Sequence, residues 1–114
     1  MPDTLSFPHH HLIGYRLALE LVKLVASVEI GDANLRAQAR KSAASAALNA
    51  AEGAARNSRA DRARVFGIAR AEVCEVAAAV EIAGALGCCA EGDVGAVLAI
   101  AKRASDVLSR LASR

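Results

Sequence analysis

From Gln38 to Arg56 the polar residues follow one line. Gln38, Ser42, Ser45, Asn49, Glu52 and Arg56 succeed one another at steps of four, three, four, three and four, and alanine occupies most positions between them. A helix puts such steps on one face, and methyl side chains elsewhere let neighbouring helices approach closely. Leu35 and Leu48 are the only large apolar residues of this helix, which is expected to run from about Ala33 to Glu52 and stop at Gly53. No segment of the chain sustains a two-residue alternation bounded by turn residues, so strands are not expected.

Three more helices complete the pattern. From His10 to about Val28, Leu12, Tyr15, Leu19, Val22 and Ala26 keep a three/four spacing, with Leu17, Leu21, Leu24 and Val28 widening the apolar face. Gly31-Asp32 ends that helix and offers Asp32, or alternatively Asn34, as the next cap. Ser58-Arg59-Ala60-Asp61 resembles a capping box with aspartate in place of glutamate, opening a helix that continues through Val65, Phe66, Ile68, Ala69, Val73, Val76, Val80 and Ile82 to about Leu86, where Gly87 stops it. Asp93 is read as the cap of the last helix, with Val94, Val97, Leu98, Ala101, Val107, Leu108 and Leu111 facing inward. Short connections favour antiparallel neighbours, so the expected fold is all-α: one up-down-up-down antiparallel four-helix bundle over residues 1–114, with residues 1–8 a flexible N-terminal segment.

With no tryptophan, one tyrosine and two phenylalanines, such a bundle has a core thin in side-chain volume. Each buried methyl removes little apolar area from water, so self-association is expected to supply further burial. The net charge is only +2, but it is unevenly placed. Arg36 to Arg70 holds eight basic residues against Glu52 and Asp61, and the chain from Ala71 onward leans acidic, a distribution suited to a polyanion or to contact between copies. Cys74, Cys88 and Cys89 are an odd number, and adjacent cysteines close a disulfide only under strain, which suits a reducing cytoplasm. MPDTLSFPHHH lacks the basic start and apolar run of a secretory signal, and Glu20, Lys23 and Glu29 interrupt the longest candidate membrane span.

The polar line Gln38, Ser42, Ser45, Asn49, Glu52 admits two readings: a solvent face, or an interface whose hydrogen bonds cross a contact. Long charged residues usually populate a solvent face, whereas serine and asparagine are poor formers of a helix interior. Both readings stay open on the residues alone.

The stretch QARKSAASAALNAAEGAARNSRADRARVFGIARAEVCEV resembles the signature of the four-helix-bundle proteins encoded in intervening sequences of bacterial 23S ribosomal RNA genes, approximately Q-L-R-R-A-x-x-S-I-P-x-N-I-A-E-G, then R-x-S, then I-A-R-G-S and E-L. Gln38, Arg40, Lys41, Ser45, Asn49, Ala51, Glu52, Gly53, Arg56, Ser58, Arg64, Ile68, Ala69, Arg70 and Glu75 fall on it in register. The resemblance implies a small cytoplasmic bundle that assembles into a ring-shaped homopentamer. It also implies kinship in fold with the accessory protein of diversity-generating retroelements, which binds a reverse transcriptase and nucleic acid, and it implies no enzymatic activity. Ala39, Ala46 and Ala50 stand where that signature has large aliphatics, Ala47 where it has proline, and Ala71-Glu72 where it has Gly-Ser.

Other chemistry has little support in the residues. Consecutive His9, His10 and His11 point in different directions on a helix, and the chain has no other histidine to complete a metal site. Cys88-Cys89 has no C-x-x-C spacing, and Cys74 is expected to pack between helices. No phosphate-loop, zinc-protease or carboxylate-bundle motif is present, no cofactor is predicted, and Glu52 is expected to pair with Arg56 or an arginine of the third helix rather than act with Glu75 as a catalytic pair. Arg56, Arg59, Arg62 and Arg64, with Arg40 and Lys41, are the candidates for phosphate contact. No aromatic residue is interleaved among them, so nucleic-acid binding would be directed at the backbone. The competing reading pairs these arginines with acidic surface on a second copy, or leaves the bundle as an adaptor that docks a partner protein and binds no nucleic acid.

Overall fold

Two serine- and aspartate-type caps set where the middle of the chain turns into helix. Asp32 Oδ1 accepts the Leu35 N–H at 2.9 Å and Ser58 Oγ accepts the Asp61 N–H at 3.1 Å, each satisfying a donor that the first helical turn leaves without a partner. In this computed structural model, which describes residues 6–113, the chain forms α1 (Ile13–Ser27), α2 (Ala33–Ala55), α3 (Arg59–Ala85) and α4 (Glu91–Ala112), with no strand among the described residues. A 3-10 helix, Pro8–His11, precedes α1 and rests on α2. Each long helix packs on its chain neighbours, α1 closes the circuit against α4, and α2 against α3 is the most extensive contact. The architecture is the expected antiparallel four-helix bundle. Of the expected N-terminal segment, residues 1–5 lie outside the described residues.

The helix ends correct the sequence reading at three places. The first long helix starts at Ile13 rather than His10, because Leu12 is extended and separates it from the 3-10 turn. Asp93 is not the last cap; Ala90 is, and Asp93 lies with Glu91 in the first turn, where carboxylates complement the helix dipole. Gly53 does not stop α2, which continues to Ala55. A Cβ at Gly53 would stand 2.7 Å from both Cδ1 and Cε1 of Phe66, so this glycine admits the ring of the facing helix. Gly87 does end α3 as expected: at φ 74° it lets the Cys88 N–H reach Ala83 O at 2.8 Å while its own N–H reaches Gly84 O at 3.0 Å.

Alanine dominates the interior. Every buried apolar side chain on α2 is alanine: Ala39, Ala43, Ala46, Ala47 and Ala50. The volume comes from the other helices, through Leu17, Leu21 and Val25 of α1, Val65, Phe66, Val73, Val76 and Val80 of α3, and Val97 and Leu108 of α4. On α1 the centre of the buried face is therefore Leu17, Leu21 and Val25; Tyr15, Leu19 and Val22 are half-buried at its flank, and Ala26 is exposed. Both lines are apolar in sequence, and the packing of α1 against α2 and α4 together selects between them. Cys74, expected to pack, is exposed on α3, whereas Cys89 is buried. Burial, and secondarily the nearby Asp93 carboxylate, pushes the Cys89 thiol up from its ordinary pKa.

Candidate functional site

The polar line of α2 is not one environment. Ser42 is 1% exposed, the buried polar side chain among the described residues, and its hydroxyl donates to Glu75 Oε2 of α3 at 3.0 Å while accepting from Gln38 Nε2 at 3.1 Å. Ser45 and Asn49 are half-buried and bond locally: Asn49 Nδ2 donates to Ser45 O at 2.9 Å and to Ser45 Oγ at 3.2 Å. Glu52 is exposed, and its carboxylate meets Arg56 at 3.5 Å, the pairing expected from the i, i+4 spacing. The line thus joins α2 to α3 at one end, bonds to itself in the middle and becomes solvated at the other.

The structure separates the six basic candidates into two groups. Arg40 and Lys41 lie in the first half of α2, about 24 Å along the helix from Arg56 at 1.5 Å per residue. Arg40 Nη2 donates to Ala26 O at 3.5 Å and its neighbour Arg36 donates to Ile30 O at 2.9 Å, so both cover carbonyls where α1 ends. Lys41 is exposed. Arg56, Arg59, Arg62 and Arg64 gather at the opposite end, where α2 turns into α3.

Within that second group the four arginines again differ. Asp61 sits between two of them, with Oδ2 3.4 Å from Arg56 Nη1 and Oδ1 2.9 Å from Arg64 Nη2. The sequence suggests Asp61 as the reciprocal half of a capping box, but its carboxylate is taken up by these two guanidinium groups instead. Arg59 and Arg62 have no carboxylate partner among the described residues. Both line a cleft of about 390 Å³ whose remaining walls are Pro8, Leu12, Ala54, Phe66 and Leu111. Among the described residues no acidic side chain lines it, so the cleft sets two guanidinium groups over an apolar floor. Gly53 sets that floor, since it allows Phe66 to lie against α2.

Beside this cleft lies an aromatic cluster that the sequence reading misses. The Phe7 N–H donates to His10 Nδ1 at 2.9 Å and Phe7 O accepts the His10 N–H at 3.0 Å, which pins Phe7 on the 3-10 helix. Arg16 Nε holds His10 O at 2.9 Å, fastening that helix to α1. The rings of Phe7 and His9 stack at 6.0 Å, and His9 meets the His10 ring at 4.5 Å and the Tyr15 ring at 4.6 Å. Burial, with the neighbouring His10, lowers the His9 pKa below the usual histidine value. The His9 and His10 rings meet edge to face rather than pointing apart as their spacing suggests, and no group of three metal-ligating side chains forms among the described residues. The signal for the cluster in the sequence is F-P-H-H-H itself, but its position near the arginines depends on long-range packing.

No helix among the described residues is long and apolar enough to cross a membrane. The family model described as 23S rRNA-intervening sequence protein matches residues 12–110. No curated protein matches the chain.

Proposed function

The chain belongs to the 23S rRNA-intervening sequence protein family, and from that premise we propose a non-catalytic, self-associating bundle that holds a nucleic-acid backbone against Arg59 and Arg62. The observation that carries the reading is the state of those two guanidinium groups. They are exposed, lie three residues apart on α3, share one cleft and lack a carboxylate partner among the described residues. A phosphate oxygen accepts two or more guanidinium donors with favourable geometry, and the contact carries no base information. The three free thiols suit a reducing cytoplasm, where such a protein would meet RNA.

Self-association is supported by what the protomer leaves uncovered. Ile68 and Ile82 are both exposed on α3, one heptad before and one after Glu75, so they share an outward stripe beside the polar line of α2. The homopentameric ring implied by the family resemblance would cover such a stripe. A second reading, a protein-only adaptor, is favoured by Leu48, which is 67% exposed beside Tyr15, Leu19 and Val22 in an apolar groove between α1 and α2.

Labelled single-stranded RNA titrated at several salt concentrations tests the first reading. Affinity is expected to fall with a log-log slope of about −0.7 per phosphate contact, and Arg59→Ala/Arg62→Ala to bind more weakly with a shallower slope. Equal binding by both proteins, or none at low salt, leaves the adaptor as the better account. Light scattering on wild type and Asn49→Leu tests assembly: a monomer at micromolar concentration removes the ring, and an unchanged oligomer in the variant shows that Asn49 lies outside the interface.

A further inference from the structure

Phosphate contact alone does not account for the aromatic cluster next to the arginine cleft. The Phe7 ring is 63% exposed although its backbone is fixed by two hydrogen bonds to His10, so an apolar surface is held out in water instead of folding down. One of its faces is occupied by the near-parallel His9 ring, at an interplanar angle of 18°. The next residue in the chain, Pro8, is itself a wall of the cleft that Arg59 and Arg62 line. Pro8 thus links the two features: it shares the cleft with both arginines, and Phe7 is the residue before it in the chain. The two features are drawn from segments some fifty residues apart.

We propose that Phe7 carries an unpaired base of a single-stranded nucleic acid whose backbone phosphate lies on Arg59 and Arg62. The proposal rests on the phosphate reading above and adds the class of strand. Bases inside a duplex already have both faces covered by neighbours, whereas a single strand can turn a base outward onto an aromatic ring. Stacking tolerates every base, since each has a π-face, so this site distinguishes single strands from duplexes more than it distinguishes sequences. His9, packed between Phe7 and Tyr15, supports the ring from behind. The Phe7 backbone is already fixed before any strand arrives, which lowers the ordering cost of that one contact.

Three probes separate the base contact from the phosphate contact: a single-stranded RNA of about twelve nucleotides, within the span of common single-strand sites, the same sequence as a duplex, and inorganic polyphosphate of similar charge. Wild type is expected to prefer the single strand. Phe7→Ala should weaken that binding on the order of tenfold, leave the salt slope unchanged and leave polyphosphate binding unchanged. Phe7→Tyr should retain affinity and Phe7→Leu should not, which distinguishes stacking from plain apolar contact. Because Phe7 lies outside the core, all three variants should keep the wild-type circular dichroism. Single-strand binding by Phe7→Ala equal to wild type, or wild-type binding of polyphosphate or duplex as tight as that of the single strand, overturns the base contact and leaves the phosphate reading standing. No binding of any probe at low salt overturns both.

Discussion

At the end of the bundle where α1 passes into α2, Arg36 and Arg40 donate to main-chain carbonyls of Ile30 and Ala26. At the other end, the guanidinium groups of Arg59 and Arg62 have no carboxylate partner among the described residues and line a cleft floored by Phe66. The residue type is the same, and the sequence alone groups Arg40 with the second set. The difference lies in what the backbone leaves unsatisfied nearby. The first end offers a carbonyl in the last turn of α1, that of Ala26, and one in the connection after it, that of Ile30, and guanidinium groups are drawn to them. The second end has its local carboxylate, Asp61, already shared between Arg56 and Arg64. An arginine cluster therefore reads as a binding surface only after its internal partners have been assigned.

The glycines near the two ends should break this comparison most strongly. Gly53→Val drives side-chain atoms into the Phe66 ring, which lies 2.7 Å from where even a Cβ would stand, and should cost about 3 kcal/mol by overpacking the contact between α2 and α3. Gly31→Ala at the opposite end meets Cys88 O at 3.6 Å, an ordinary contact, and should change stability by no more than about 0.5 kcal/mol. Chemical denaturation of both variants measures the difference. Equal stability would mean that Phe66 is free to move off α2.

The arginines give the next effect, in opposite directions at the two ends. Arg36→Ala removes a charged donor from the carbonyl of buried Ile30 and should cost about 1 to 2 kcal/mol in folding. Arg59→Ala/Arg62→Ala breaks no described bond and should shift folding by under about 0.5 kcal/mol. Denaturation midpoints read alongside RNA titrations should show a stability loss with intact binding for the first variant and the reverse for the second. A stability loss in the double variant would make those arginines structural.

The smallest effect concerns His9. Its folded pKa lies below the unfolded value of 6.5, so folding favours the neutral ring. The sign follows: its contribution to stability is complete above pH 6.5 and declines as pH falls through that value toward the folded pKa. An NMR titration of the His9 ring should therefore show a midpoint below that of an unfolded peptide. A midpoint at or above the peptide value would show that the His9–His10–Tyr15 cluster does not persist in solution.

Much of this molecule is legible in the residues because the determining forces are local. Asp32 and Ser58 announce two helix starts, Gly87 announces a stop, and the absence of alternation excludes a sheet; each depends on bonds that reach only a few positions along the chain. The stretch from Gln38 to Glu75 also carries the family. What local forces cannot decide is which of two apolar lines on α1 faces inward, since both are hydrophobic and the packing against α2 and α4 selects between them. Nor can they show that Gly53 continues a helix, because its reason is a phenylalanine thirteen residues away on the facing helix. The candidate site divides in the same way. Its arginines are visible as a cluster, and the Asp61–Arg64 pair follows from their three-residue spacing, but the withdrawal of Arg40 to the Ala26 carbonyl and the arrival of Pro8 at the arginine cleft require antiparallel packing, which brings distant residues together at distances that sequence spacing does not encode.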